Sequence, residues 1–298
     1  MTSISVGTAQ FGMNYGITNS SGQVGIDEAL KILKTAKKMK IKYLDTASSY
    51  GVSEQVLGKA GEVIDSFNIV SKFPKIEHDS IRSQDIESWD IIVNNSIRRL
   101  NLKKLDSILL HEPSDLRKPG GDVLLDWIIS LKKRGITKRI GISIYNRACL
   151  KDINLEMIDI IQLPLSLYDQ RLSRDGTIDN ILENGIAIHA RSIFLQGLLL
   201  ARPTKWPSWV NKNTLSHHIS LCDEVERKGC SLINYAIDFI KNQEYLEAAI
   251  FGICSLSELN ALSDAWSSKE NYIESGRLGD WALNDIELLD PRGWPKKS

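Results

Sequence analysis

The chain has 298 residues, 42% of them hydrophobic and 25% charged, which suits a globular protein with a sizeable core. Lysine plus arginine and aspartate plus glutamate both number 37, so the formal net charge is zero. That balance argues against long-range attraction to nucleic acid or anionic membranes, and no apolar run approaches the ~18–20 residues that span a bilayer. The first five residues lack the basic start and long apolar stretch of a secretory signal. Four scattered cysteines (Cys149, Cys222, Cys230, Cys254) make no CxxC pair and no zinc-ligand spacing. Reduced thiols in a cytoplasmic protein are the expectation.

Short apolar runs recur along the chain at 4–8, 42–45, 68–72, 105–111, 139–143, 158–163, 186–190 and 248–252. Runs this continuous are what parallel strands buried on both faces require. Between them, 26–40, 53–64, 85–100 and 122–134 carry apolar residues three and four apart, the spacing of an amphipathic helix. Gly135 and Gly185 each stand between a helical pattern and the next strand, where a helix stop belongs. Eight strand–helix units predict a (β/α)8 TIM barrel over one domain, 1–298, because no linker or composition shift divides the chain. The rival doubly wound sheet needs a GxGxxG turn after its first strand, and Gly7-Thr8-Ala9-Gln10-Phe11-Gly12 lacks the middle glycine. The longest interval between strands, 192–247, holds an extended loop around Trp206 and Trp209 before another helical pair. The tail, 291–298, reads as irregular and frayed.

In such a barrel, residues at the C-terminal ends of strands face the active site. Asp45, Lys72 and His111 close the second, third and fourth apolar runs, and Tyr50 follows on the loop after the second. Neighbouring strands lie ~5 Å apart, so these four side chains can meet. A phenol with a pKa near 10 is a poor acid at neutral pH; a close ammonium lowers it. Tyr50 is therefore the candidate acid, Lys72 its activator, Asp45 the group holding Lys72, and His111 the group orienting a carbonyl oxygen or sharing the proton. Taken singly, each has a plain alternative. Asp45 can begin a helix, Lys72 can be a solvated loop lysine, His111 a buried imidazole, and Tyr50 a packing residue.

The stretches Asp45-Thr46-Ala47, Tyr50-Gly51, Ser53-Glu54, Ser71-Lys72 and Leu110-His111 resemble the aldo-keto reductase signature. So do Gly7 to Gly12, Ile140-Gly141-Ile142-Ser143, Ile161-Gln162, Ser192 to Leu199, and Gly252 to Leu259, in the family's order. The resemblance implies NAD(P)H-dependent reduction of an aldehyde, ketone or sugar-like carbonyl, with Asp45, Tyr50, Lys72 and His111 as the catalytic tetrad. It further implies coenzyme contacts at Gly7, Thr8, Asp45, Ser143, Gln162, Arg191, Ser192, Gln196, Gly197, Leu198, Gly252, Ser255 and Glu258, and no metal. Phe11, Tyr15, Trp206 and Trp209 are expected to wall the substrate pocket.

Three positions depart from the family pattern. Ile144 stands where many members have an asparagine that meets the nicotinamide carboxamide. Arg191 stands where an aromatic residue often stacks on the nicotinamide. No base lies between Gly252 and Glu258, where members selective for NADPH carry one. The family favours NADP while this local chemistry favours NAD, which implies weak discrimination. Other readings of the same residues are a Schiff-base lyase acting through Lys72, a metal-dependent hydrolase using Asp45, His111 and His189, and a nucleotide-binding protein without catalysis.

Overall fold

The computed structural model describes residues 2–295, apart from the side chain of Ser275. Eight parallel strands form it: β1 (Ser3–Gly7), β2 (Tyr43–Asp45), β3 (Asn68–Phe73), β4 (Leu105–Leu110), β5 (Thr137–Ser143), β6 (Ile160–Pro164), β7 (Ala187–Arg191) and β8 (Ala248–Gly252). Each pairs with its neighbour in chain order, and β1 also pairs with β8, closing a (β/α)8 barrel. The helices are α1 (Ala9–Gly12), α2 (Ile26–Lys38), α3 (Ser53–Gly58), α4 (Ile86–Leu100), α5 (Gly121–Lys133), α6 (Arg171–Arg174), α7 (Thr177–Glu183), α8 (Lys212–Arg227), α9 (Leu232–Lys241), α10 (Leu256–Ser267) and α11 (Ile286–Leu289). Among the described residues, no helix is long and apolar enough to cross a membrane.

The apolar runs become strands because both of their faces are covered. Leu44, Ile69, Ile108, Ile140, Ile161, Ile188 and Ala249 face the helices in one large core. Tyr43, Val70, Leu109, Ile160 and Ala248 form a separate cluster, contributed by alternate strand residues. The period of two then sets the next interior layer. Two residues beyond Tyr43, Val70, Leu109 and Ile160 stand Asp45, Lys72, His111 and Gln162, and two beyond His189 stands Arg191. That layer is the barrel mouth.

Gly135 and Gly185 do end their helices, with φ of 71° and 69°. Two expectations need correction. The helix anticipated over 53–64 is α3 followed by a separate 3-10 turn, Gly61–Ser66, broken at Gly61 with φ 57°. The tail is built rather than frayed over its described part. Pro291–Gly293 form a 3-10 turn, and the Trp294 indole Nε1 donates to the Leu288 carbonyl at 3.0 Å. Residues 296–298 lie outside the described ones.

Candidate active site

Asp45 and Lys72 meet at the centre of the mouth, both buried. Lys72 Nζ donates to both carboxylate oxygens of Asp45, at 2.8 and 2.7 Å, and to the Thr46 carbonyl at 2.9 Å. An ammonium has three N–H groups, and here all three are used. Burial lowers the Lys72 pKa, and the Asp45 carboxylate opposes that shift. Asp45 Oδ1 also accepts from Gln162 Nε2 at 2.5 Å. Gln162 is fully buried, and its Oε1 has no partner.

Tyr50 lies above this pair. Lys72 Nζ is 5.1 Å from the centre of its ring, and the His111 ring stands edge-on at 6.0 Å and 79°. The Tyr50 hydroxyl makes no hydrogen bond among the described residues. Burial first, and then the Asp45 charge, push this phenol above its usual pKa. That corrects the expectation that Lys72 lowers it: the ammonium is neutralised by Asp45 and sits against the ring. Tyr50 therefore stays protonated at rest. His111 Nδ1 lies 3.4 Å from Ser49 Oγ, and burial, then the Lys72 charge, push its pKa down to about 4. Near neutral pH its imidazole is uncharged, so it suits orienting an oxygen better than supplying a proton.

Backbone contacts set the Tyr50 loop. The Thr8 amide and hydroxyl both donate to the Asp45 carbonyl at 2.9 Å, and Ser53 Oγ donates to the Thr8 carbonyl at 2.9 Å. A Cβ on Gly12 would stand 1.8 Å from the Tyr50 carbonyl oxygen, and one on Gly51 2.2 Å from that of Gly12. Two glycines thus let the first and second loops touch. Buried Glu54 accepts from Ser71 Oγ at 2.9 Å and from Arg99 at 2.6 Å, tying α3 to β3 and α4. These signature residues thus hold the loop in place, and the Thr8 hydroxyl is committed to the Asp45 carbonyl.

Several expected contacts sit elsewhere. Phe11, within α1, is fully buried in the core rather than walling a pocket. Trp206 is also buried: its Nε1 donates to the Leu198 carbonyl at 3.0 Å, and its ring stacks on His218 at 4.4 Å. The 202–210 loop is thus held down by its own aromatics. Trp209 packs on Trp294 at 5.5 Å. Tyr15 does reach the mouth, exposed; burial of its hydroxyl, then Tyr50 and Tyr145, push its pKa up to about 12. His189 is fully buried on the opposite side of the barrel interior, bonded to Glu247 at 2.9 Å, so it does not join Asp45 and His111. Among the described residues, no group of His, Cys, Asp or Glu gathers in a metal-holding arrangement.

Arg191 rests on a residue that sequence reasoning passed over. Its guanidinium lies 4.0 Å from the Tyr145 ring centre, with Nη2 donating to the Ile144 carbonyl at 2.8 Å. Arg292 covers Tyr145 as well, at 3.8 Å. Planar guanidinium groups favour such stacking. Beyond β7, Ser192, Leu195, Gln196 and Gly197 all have positive φ. Three of these are not glycine, a strained turn of the kind that marks ligand-clamping loops. A Cβ on Gly197 would stand 1.9 Å from Thr18 Oγ1. Leu198 is fully buried, and its carbonyl is taken by the Trp206 indole and the Ala201 amide.

Beyond β8, Gly252 is exposed and Ser255 caps α10: its Oγ accepts from the Glu258 amide at 3.1 Å. Glu258 returns a carboxylate oxygen to the Cys254 amide at 2.7 Å. The S-x-x-E spacing could have announced this capping pair from sequence.

The chain matches the model of the Aldo/keto reductase family over residues 3–273. Among solved structures it is similar to the glycerol dehydrogenase from Gluconobacter oxydans, at 20% identity and a TM-score of 0.73, covering 93% of this chain and 90% of that one. It is also similar to the holo form of an aldo-keto reductase from Bacillus halodurans, at 21% identity and a TM-score of 0.71, covering 96% and 91%. No curated protein sequence matches it.

Proposed function

The chain belongs to the aldo/keto reductase family of NAD(P)-dependent carbonyl reductases, and from that premise we propose that Tyr50, Lys72, Asp45 and His111 carry out carbonyl reduction in this protein. The observation that carries the reading is the Tyr50 phenol: protonated, unbonded, and set over a buried Lys72–Asp45 pair. A reduced nicotinamide, when bound, supplies hydride to the carbonyl carbon. As negative charge grows on the carbonyl oxygen, Tyr50 gives it a proton, with the Lys72 ammonium 5.1 Å from the centre of the Tyr50 ring. Asp45 keeps Lys72 charged and in place, and neutral His111 orients the oxygen.

The residues fit the coenzyme. Gln162 Oε1 is a buried acceptor without a partner, which the amino group of a carboxamide satisfies. Ser143 pairs in register with Gln162 at the same depth, and the strained 192–197 turn with exposed Gly252 suits a pyrophosphate. The absence of a base between Gly252 and Glu258 supports use of NADH beside NADPH. Tyr15 is the substrate contact we retain.

Fluorescence titration with NADH and NADPH, followed by turnover on a panel of aldehydes, ketones and sugars, tests this reading. Binding with coenzyme-dependent reduction is expected; absence of both sinks it. A lyase acting through Lys72 requires a neutral, unpaired amine, whereas all three N–H groups are donated here. Borohydride trapping of a substrate on Lys72 would favour that reading instead.

A further inference from the structure

Among the described residues four arginines are half-buried: Arg99, Arg139, Arg171 and Arg191. Three of them meet carboxylates. Arg99 pairs with Glu54 at 2.6 Å, Arg139 with Asp106 and Glu247 at 2.8 Å, and Arg171 with Asp169 at 2.8 Å. Arg191 differs, for its partners among the described residues are all uncharged: Ser192 Oγ at 3.2 Å, the Ile144 carbonyl at 2.8 Å and the Tyr145 ring.

Its place makes that charge matter. Arg191 ends β7 in the mouth layer, and Lys72 lies four strands away around the closed ring, on β3. Lys72 is met by Asp45, and Arg292, on the same Tyr145 ring, is met by Asp290 at 2.6 Å. His111 is uncharged near neutral pH. One positive charge is therefore left over. Burial dominates the shifted pKa values of Tyr15, Tyr50, Lys72 and His111, and the Arg191 charge acts on all four. A half-buried guanidinium that also acts against a buried ammonium costs free energy unless an anion arrives.

Two of the five N–H groups of Arg191 are donated, which leaves three for a ligand. A planar fork of this kind grips a carboxylate or phosphate through two parallel bonds. The Ile144 bond and the Tyr145 ring hold the guanidinium on the β5 side. The turn and Gly252 proposed for the pyrophosphate lie beyond β7 and β8. The walls also suit a polar ligand. Phe11 and Trp206 are buried in the core and Trp209 lies on Trp294, while Tyr15, Tyr50, Tyr145 and His111 around the mouth all carry polar atoms.

We propose that the substrate carries an anionic group, a carboxylate or a phosphate ester, and that Arg191 is the specificity-determining residue that binds it while the carbonyl lies at Tyr50. The inference rests on the carbonyl reduction proposed above and names its substrate class.

The full chain loaded with oxidised coenzyme cannot reduce a ligand, so binding is read by tryptophan fluorescence without turnover. Succinate or inorganic phosphate is expected to bind at least about tenfold more tightly than succinamide, the uncharged counterpart of succinate. Whichever anion binds better tells a carboxylate from a phosphate ester. Arg191→Gln should remove the preference while succinamide binding changes by less than about twofold, a split that a packing role does not produce. Arg191→Lys keeps the charge without the fork and should restore a preference of about threefold. Equal binding of all three compounds by the unaltered protein overturns the proposal, as does a preference that survives Arg191→Gln. A loss of coenzyme affinity of about a hundredfold in that variant also overturns it, by giving the guanidinium to the pyrophosphate. Each of these leaves the carbonyl reductase reading standing, whereas binding of neither coenzyme overturns both.

Discussion

The two ends of the barrel interior carry the same four kinds of side chain and use them differently. At the mouth are Asp45, Lys72, His111 and Tyr50; at the floor are Glu247, Arg139, His189 and Tyr43. On the floor, the Tyr43 hydroxyl donates to Glu247 Oε1 at 2.9 Å, Arg139 Nη1 donates to the same oxygen at 2.8 Å, and His189 Nε2 lies 2.9 Å from it. The His189 bond, with Arg139, holds Glu247 well below the usual carboxylate range. The phenol proton there is already claimed. At the mouth the carboxylate is taken by Lys72 and Gln162, and the Tyr50 proton is unclaimed. A tyrosine becomes structure or chemistry according to where the nearest carboxylate spends its lone pairs.

Removing each phenol tests that contrast most directly. Tyr50→Phe should lower kcat by about 10³-fold or more while coenzyme affinity stays within about twofold, measured by turnover beside fluorescence titration. A variant that keeps full turnover would dismiss Tyr50 as the acid. Gly12→Ala, which drives a methyl group into the Tyr50 carbonyl, should cost about tenfold in kcat and about 2–3 kcal/mol of stability, read from kinetics and urea unfolding.

The next effect is one of acid stability. His111 has a folded pKa of about 4, below its ordinary 6.5, so the unfolded chain binds its proton first. Its contribution to stability is complete above 6.5 and is lost as the pH falls towards 4, at up to about 1.4 kcal/mol per unit. His111→Asn should flatten the unfolding free energy across that window; an unchanged slope would show that the imidazole is not buried neutral. Tyr43→Phe is the smallest change, about 1 kcal/mol of stability with kcat within about twofold. A large loss of turnover there would erase the distinction between floor and mouth.

The eight strands were legible because each is apolar on both faces, and the mouth residues because they end those strands in polar groups. The state of Tyr50 was not legible. Its pKa depends on burial and on how Asp45 and Lys72 cancel, which spacing does not record. Tyr145, Arg292 and Glu28 left no local signal, since each acts on a partner far away in sequence: Arg292 on Tyr145, and Glu28 on Leu256. Trp206 misled because a loop tryptophan looks like a pocket wall until its indole is seen bonded to the Leu198 carbonyl. Glu258 enters the sequence reading only as a coenzyme contact, although its place three residues after Ser255 also spells a helix cap.

The guanidinium of Arg292 on Tyr145 has a consequence for the order of assembly. Strand β8 precedes it by some forty residues, so on the ribosome the barrel can close before this contact is made. A nascent chain halted just after α10 would own every strand and every member of the proposed catalytic quartet, yet its Tyr145 ring would lack the Arg292 guanidinium.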